Sequence, residues 1–324
     1  MKSVKHALTP VVAAVLALIG SGCGKNNKPA DIDSGKISVV TTIFPACDFA
    51  RAVAGGKADI VMLLPPASES HSFEPRPQDV IKIQKSAVFV YVGGESDAWV
   101  KDILKSIDNP KMKTVAMMEC AETVEEEIVD GMQSEEKEGE KKEGGEEEPE
   151  YDEHVWTSPR NAKLIVRKIS ETLIEADSSN ADVYRQNTDA YLSQLDTLDA
   201  KFKGVVDGAA RKTIVFGDRF PFRYFADAYG LKYFAAFPGC ATETEASAKT
   251  VKFLIDKVRK EKIPVVFHIE LSNEKMANTI SEATGAKARL FHSCHNVTKA
   301  DFQAGKTYLD FMNANADALR EALK

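Results

Sequence analysis

"NADVYRQNTDAYLSQLDTLDAKFKGVVDG", residues 180–208, has no proline and repeats its apolar residues at helical intervals. Val183, Tyr184, Tyr191, Leu192, Leu195, Leu198, Phe202 and Val205 recur largely at three- and four-residue steps, which puts side chains on one helical face. At 1.5 Å per residue such a helix would be roughly 40 Å long, about the length of the whole molecule. The stretch therefore predicts one long helix, and its flanks predict what that helix joins.

On the N-terminal side, "KISVVTTI", "ADIVMLL", "AVFVYVGG" and "KTVAMME" read as strands. Amphipathic stretches at "CDFARAVAG", "QDVIKIQKS" and "DAWVKDILKSI" alternate with them, and a helix over 161–177 follows. On the C-terminal side the strands are "KTIVFG", "LKYFAAF", "IPVVFHIE" and "AKARLFH". Helices at "FRYFADAYG", "SAKTVKFLIDKVRKEK" and "EKMANTISEATG" separate them, and "YLDFMNANADALREALK" closes the chain. Short β-branched runs alternating with helices imply a parallel sheet covered on both faces. The expected fold is α/β: two similar lobes, each a four-stranded, mainly parallel sheet with helices on both faces, joined by one long rigid helix. Ligands of such sheets bind beyond the carboxyl ends of the strands. The expected boundaries are a leader at 1–22, a tether at 23–35, an N-terminal lobe at 36–179, the linking helix at 180–208 and a C-terminal lobe at 209–324.

The chain begins "MKSVKHALTPVVAAVLALIGSGCGK", with Lys2 and Lys5 ahead of an apolar run from Val11 to Ile19. That is a secretory leader, too short to span a bilayer comfortably. "IGSGC" resembles a lipobox with Gly20 where leucine is usual, which makes Cys23 the lipidated residue. The protein is then exported and anchored to the outer face of the cell membrane through Cys23. A simple signal peptide with an incidental cysteine is the alternative. Export permits disulfides among the other cysteines, Cys47, Cys120, Cys240 and Cys294.

The net charge of −7 arises in one place. Residues 122–153 carry 16 acidic residues against 3 lysines, a balance of −13 that leaves +6 for the rest. No basic stripe accompanies it, which argues against a nucleic-acid partner. "EEKEGEKKEGGEEEPEYDE" has no apolar period, so the segment is expected to be a mobile loop.

After the leader only five histidines remain. His71, His154, His292 and His295 all fall on loops expected at the carboxyl ends of strands, from both lobes. His268 lies inside a predicted strand and reads as structural. Converging neutral imidazoles suit Zn²⁺ better than Ca²⁺ or Mg²⁺, which prefer oxygen. There is no H-E-x-x-H and no G-x-S-x-G, so a zinc-dependent hydrolase is the weaker reading.

Two longer patterns carry a resemblance. "ESHSFEPRPQDVIKI" follows H-S-[YF]-E-P-x-P-x-D, and "DEHVWTSPRNA" follows D-x-H-x-W-x-[SD]-P-x-N-A. With the closing "YLDFMNANADALREAL", residues 36–324 resemble the metal-binding component of zinc or manganese ABC importers. The resemblance implies a monomeric, non-catalytic protein. It would capture Zn²⁺ (or, alternatively, Mn²⁺) between its lobes and deliver it to an ABC permease. It carries the ligand role onto His71 and His154.

The chain departs from that pattern at the third ligand, where "GDRFPFRYF" has Arg219. A guanidinium stays protonated and cannot coordinate a cation. His292, His295 or both are therefore expected to replace the missing third and fourth ligands. Asp218 and Glu270 are possible oxygen donors, the set expected of a manganese binder. Glu270 is expected instead to brace Arg219. Cys240 and Cys294 could join the two C-terminal histidines in a closed Cys₂His₂ site; a Cys240–Cys294 disulfide is preferred. Cys47–Cys120 is a second candidate bridge. By resemblance the acidic loop would gather metal ions near the site, the alternative being a solvated linker.

Overall fold

The computed structural model describes residues 35–69, 71–133, 150–241 and 245–324. The leader, Cys23, nearly all of the tether and residues 134–149 of the acidic segment lie outside the described residues.

Strands β1 (Ile37–Thr41), β2 (Ala58–Met62), β3 (Val88–Tyr91) and β4 (Lys113–Ala116) form the first sheet. Helices α1 (Phe44–Ala54), α2 (Pro77–Lys85), α3 (Ala98–Ser106) and α4 (Pro159–Ala176) accompany them. The long helix α5 follows at Ala181–Asp207. The second sheet comprises β5 (Thr213–Phe220), β6 (Lys232–Pro238), β7 (Val265–His268) and β8 (Lys287–Leu290). Its helices are α6 (Arg223–Tyr229), α7 (Ala248–Glu261), α8 (Lys275–Thr284), α9 (Lys299–Gln303) and α10 (Tyr308–Ala322). The short α9 has no counterpart in the sequence reading.

All pairings within the two sheets are parallel, in the orders β2-β1-β3-β4 and β6-β5-β7-β8. The two halves thus repeat one topology. In each, the order reverses beside the first strand, which opens a crevice at the carboxyl ends of the strands. β5 runs three residues past its predicted end, and its register against β6 shifts between Phe216 and Arg219.

α5 is 27 residues long, and Tyr184, Thr188, Tyr191, Leu192, Leu195, Leu198, Phe202 and Val206 make its buried stripe. Val183 and Val205, also on the predicted face, are only half-buried at the stripe's edge. The stripe packs against both lobes, so one core includes Phe49 and Val90 from the first and Phe225 and Phe291 from the second. Leu195 and Phe202 are fully buried, each worth about 1.5–3 kcal/mol relative to exposure.

α10 is stopped at its start by a capping box. Thr307 Oγ1 accepts the Asp310 amide at 3.2 Å, and Asp310 accepts the Thr307 amide at 2.8 Å. Such reciprocal bonds satisfy donors that the first turn leaves free. α10 then carries Tyr308, whose hydroxyl donates to the Trp156 carbonyl at 2.8 Å, and Asn315, whose side chain donates to the His292 carbonyl at 2.8 Å.

Residues 122–133 correct the expectation of a mobile loop starting at Glu122. Glu125 and Tyr151 form an antiparallel bridge. Gln133 donates its amide to the Ala236 carbonyl at 2.9 Å, and Glu127 accepts from Arg223 at 2.9 Å and from the Tyr233 hydroxyl at 2.8 Å. The charge pattern hid this because the anchoring groups belong to the second lobe.

Candidate metal centre

The loop after β2 reaches across to the second lobe. Ala67, at φ 69°, donates its amide to the Val297 carbonyl at 2.8 Å. The Asn296 side-chain amide donates to the carbonyls of Pro65 and Ser68, both at 2.8 Å. These bonds place His71 beside His295 with ring centroids 5.0 Å apart. His154 stands 5.9 Å from His71 and 5.2 Å from His295. Three imidazoles from three segments therefore converge.

Two of the rings, those of His71 and His154, are oriented by carboxylates outside the cluster. His71 Nδ1 lies 2.9 Å from Glu69 Oε1, and Arg219 donates to the other Glu69 oxygen at 3.2 Å. The bond to His71 holds the Glu69 carboxyl well below the usual carboxylate range, burial opposing and Arg219 assisting. His154 Nδ1 lies 3.0 Å from Asp152 Oδ1, which also accepts the His154 amide at 2.8 Å. A carboxylate on one ring nitrogen fixes the tautomer and leaves the other nitrogen free to coordinate. Burial pulls the His154 pKa down, but the carboxylates of Asp152, Glu153 and Glu126, Asp152 foremost, together outweigh it and the net shift is upward. His295 goes the other way: burial, then His71 and His154, keep it neutral well below its ordinary pKa.

Among the described residues, His154 Nε2, His295 Nε2 and Glu153 Oε1 are buried with no hydrogen-bond partner. Such orphaned buried atoms are costly unless something else satisfies them. A divalent ion fits: donor atoms of His71, His154, Glu153 and Cys240 all lie within 4.8 Å of one another. Glu153 Oε1 is 3.5 Å from His71 Nε2, while its second oxygen accepts the Ser96 amide at 3.1 Å. A Cβ on Gly94 would stand 2.2 Å from that oxygen, so only glycine leaves room for the carboxylate. Burial, reinforced by Glu153, Glu126 and Asp152, pushes the Cys240 thiol far above its ordinary pKa.

Several expected residues stand elsewhere. His292 is turned away from the three imidazoles: it stacks on Phe311 at 3.9 Å, and its Nδ1 accepts the Cys294 amide at 2.9 Å. Burial lowers its pKa. Cys294 at φ 62° makes the tight turn that separates His292 from His295. Glu270 does not meet Arg219. It accepts the Ser293 amide at 2.7 Å, the Ser293 hydroxyl at 2.6 Å and the His295 amide at 3.0 Å. Asp218 accepts the amides of Ile269 and Arg219 at 3.1 and 2.8 Å. Both acids thus build the backbone around the cluster. His268 ends β7 with Nδ1 3.2 Å from the Ile269 carbonyl, outside the cluster.

Neither expected disulfide forms, since Cys47, Cys120, Cys240 and Cys294 are all free. The Cys₂His₂ arrangement also fails, because Cys240 joins His71 and His154 while Cys294 is buried in the core. Glu153 and Glu69 were missed. Glu153 occupies a variable position of the second pattern, and Glu69 precedes the first; adjacency to a ligand-type histidine was their only signal.

The family model for "Zinc-uptake complex component A periplasmic" matches residues 39–322. The zinc-binding lipoprotein AdcA of Streptococcus pneumoniae is 32% identical over 312 residues, 96% of this chain and 60% of that protein. The chain thus spans about 60% of the length of that streptococcal relative. The high-affinity zinc uptake system protein ZnuA of Bacillus subtilis is 29% identical, covering 97% of this chain and 96% of that protein. Among solved structures, the Zn(II)-bound ZnuA-like domain of S. pneumoniae AdcA aligns with a TM-score of 0.73 at 29% identity. The alignment covers 89% of this chain and 99% of that one.

Proposed function

Because the chain belongs to the zinc-uptake complex component A family, we propose that it captures extracytoplasmic Zn²⁺ with His71, His154 and His295 and delivers it to an ABC permease. The observation that carries this reading is the convergence of three imidazoles, two of them with buried, unpartnered Nε2 atoms. Neutral imidazole nitrogen is a favourable donor for Zn²⁺ at about 2.0–2.1 Å. The protein is a binding protein and not an enzyme: the relatives it resembles are named for zinc binding and uptake. Lipidation of Cys23 would hold it at the outer membrane face, in keeping with relatives named as lipoproteins. The acidic segment would raise the local cation concentration through its −13 balance, an effect that salt screens.

Manganese is the weaker cargo. The oxygen donors that reading required, Asp218 and Glu270, are engaged with backbone amides. Soft and nitrogen-rich donor sets favour zinc over manganese.

The test is calorimetric titration of the metal-stripped protein with Zn²⁺ and with Mn²⁺. The expected result is one tight Zn²⁺ per chain and weak Mn²⁺. His71→Ala, His154→Ala and His295→Ala should each weaken Zn²⁺ by about a thousandfold, on the order of 4 kcal/mol. His292→Ala should retain tight binding. Full affinity in His71→Ala would remove the shared-cluster reading.

A further inference from the structure

Cys240 follows β6 on a turn that presses against the His154 ring. A Cβ on the preceding Gly239 would stand 3.2 Å from His154 Nδ1 and Cε1 and 3.1 Å from the Phe220 carbonyl. A side chain there would press on both, and they would have to give way by a few tenths of an ångström. The Cys240 amide is held by Glu126 Oε1 at 3.0 Å, which fixes the backbone from the other side. The sulfur ends within 4.8 Å of donor atoms of His71, His154 and Glu153. His154 Nε2 and Glu153 Oε1 in that group are buried and have no hydrogen-bond partner among the described residues. Among the described residues no cysteine is bonded to it.

We propose that Cys240 is a metal ligand, supplying a thiolate to the ion held by His71 and His154. This rests on the zinc-capture reading above and deepens it by naming a sulfur donor. As the ion binds, the Cys240 S–H bond breaks and its proton leaves to water. The electron pair left on sulfur forms the S–metal bond, with no oxidation or reduction. A thiolate is a soft donor, so it raises affinity for Zn²⁺ far more than for Mn²⁺. It also compensates for Arg219, which stands where the importer pattern has a third ligand and cannot coordinate.

Cobalt titration of the full chain provides the test, because Co²⁺ takes zinc sites and reports its ligands by absorption. The wild type should show visible ligand-field bands together with a near-ultraviolet sulfur-to-cobalt charge-transfer band. Cys240→Ser should lose the charge-transfer band and keep the visible ones, while Cys120→Ser should match the wild type. Zn²⁺ affinity in Cys240→Ser should fall by more than the roughly 10–100-fold typical of losing an outer partner of a ligand. Its Mn²⁺ affinity should change much less.

Visible bands without charge transfer in the wild type would overturn the sulfur ligand and leave the imidazole reading standing. A charge-transfer band that survives Cys240→Ser would overturn it too, assigning the sulfur elsewhere. The lack of any cobalt spectrum would take down the zinc-capture reading itself. A second measurement needs no variant: Zn²⁺ should block alkylation of Cys240, read by peptide mass, and equal labelling with and without zinc would refute the ligand.

Discussion

His71 and His295 enter the same cluster from opposite lobes, and they are held differently. The His71 ring is set by Glu69, a half-exposed carboxylate that is itself gripped by Arg219. The His295 loop is held from within the core. Glu270 accepts three donors from residues 293–295, and Asn315 of α10 both donates to and accepts from the His292 backbone at 2.8 and 2.7 Å. One ligand is thus positioned by partly solvated charges and the other by buried backbone bonds. Segments with few buried contacts open at low free energy, whereas core loops open only near the global limit. The His71 loop is accordingly the side expected to yield when an ion enters or leaves.

The largest expected effect breaks the buried side. Glu270→Ala removes an acceptor from two buried amides and a hydroxyl, and charged hydrogen bonds contribute about 1.5–3 kcal/mol each. The expected loss is about 3–5 kcal/mol of unfolding free energy, read as a lower denaturant midpoint. A loss under about 1 kcal/mol would mean that loop 292–296 is not core-held.

Arg219→Met and Glu69→Gln address the other side. Each should weaken Zn²⁺ by roughly 10–100-fold through misorientation of His71. Stability should change by less than about 1 kcal/mol, as for other partly solvated ion pairs. Equal damage to stability in both sets of variants would erase the contrast between the two loops.

A smaller effect is a shift along the pH axis. Asp152 raises the His154 pKa, so the proton competes with the ion at His154 from above its ordinary pKa downward. Zinc affinity should fall as pH drops through that raised value. In the metal-free protein the sign is opposite. The His154–Asp152 pair adds stability below the unfolded pKa of about 6.5 and loses it as pH rises through the folded pKa. Asp152→Asn keeps an oxygen on the ring but removes the charge, so zinc binding should persist to lower pH. An unchanged pH profile would deny Asp152 this role. The smallest effect belongs to His268→Gln, outside the cluster, where zinc affinity should stay within about twofold.

Much of the fold was legible because its signals are local. The helical period of 180–208, the β-branched runs and their alternation foretold two four-stranded α/β halves and the helix between them. His71, His154, His292 and His295 were all legible as loop residues. Which of the C-terminal pair faces the others was not. Only Ser293 and Cys294 separate them, and their surroundings in sequence are nearly alike.

The sequence alone determined the secondary structure, the repeated topology and the supply of imidazoles, because periodicity and strand–helix alternation are properties of neighbours along the chain. The tertiary structure decided who meets whom. His292 turns away because Phe311 arrives from α10 to stack on it and Cys294 reverses the chain. Arg219 meets Glu69 instead of Glu270, since Glu270 is already enclosed by the amides of Ser293 and His295. Cys240 reaches His154 because Gly239 has no side chain to keep them apart. Each of these outcomes depends on contacts between residues distant in sequence, and on competition for a buried partner that only packing resolves.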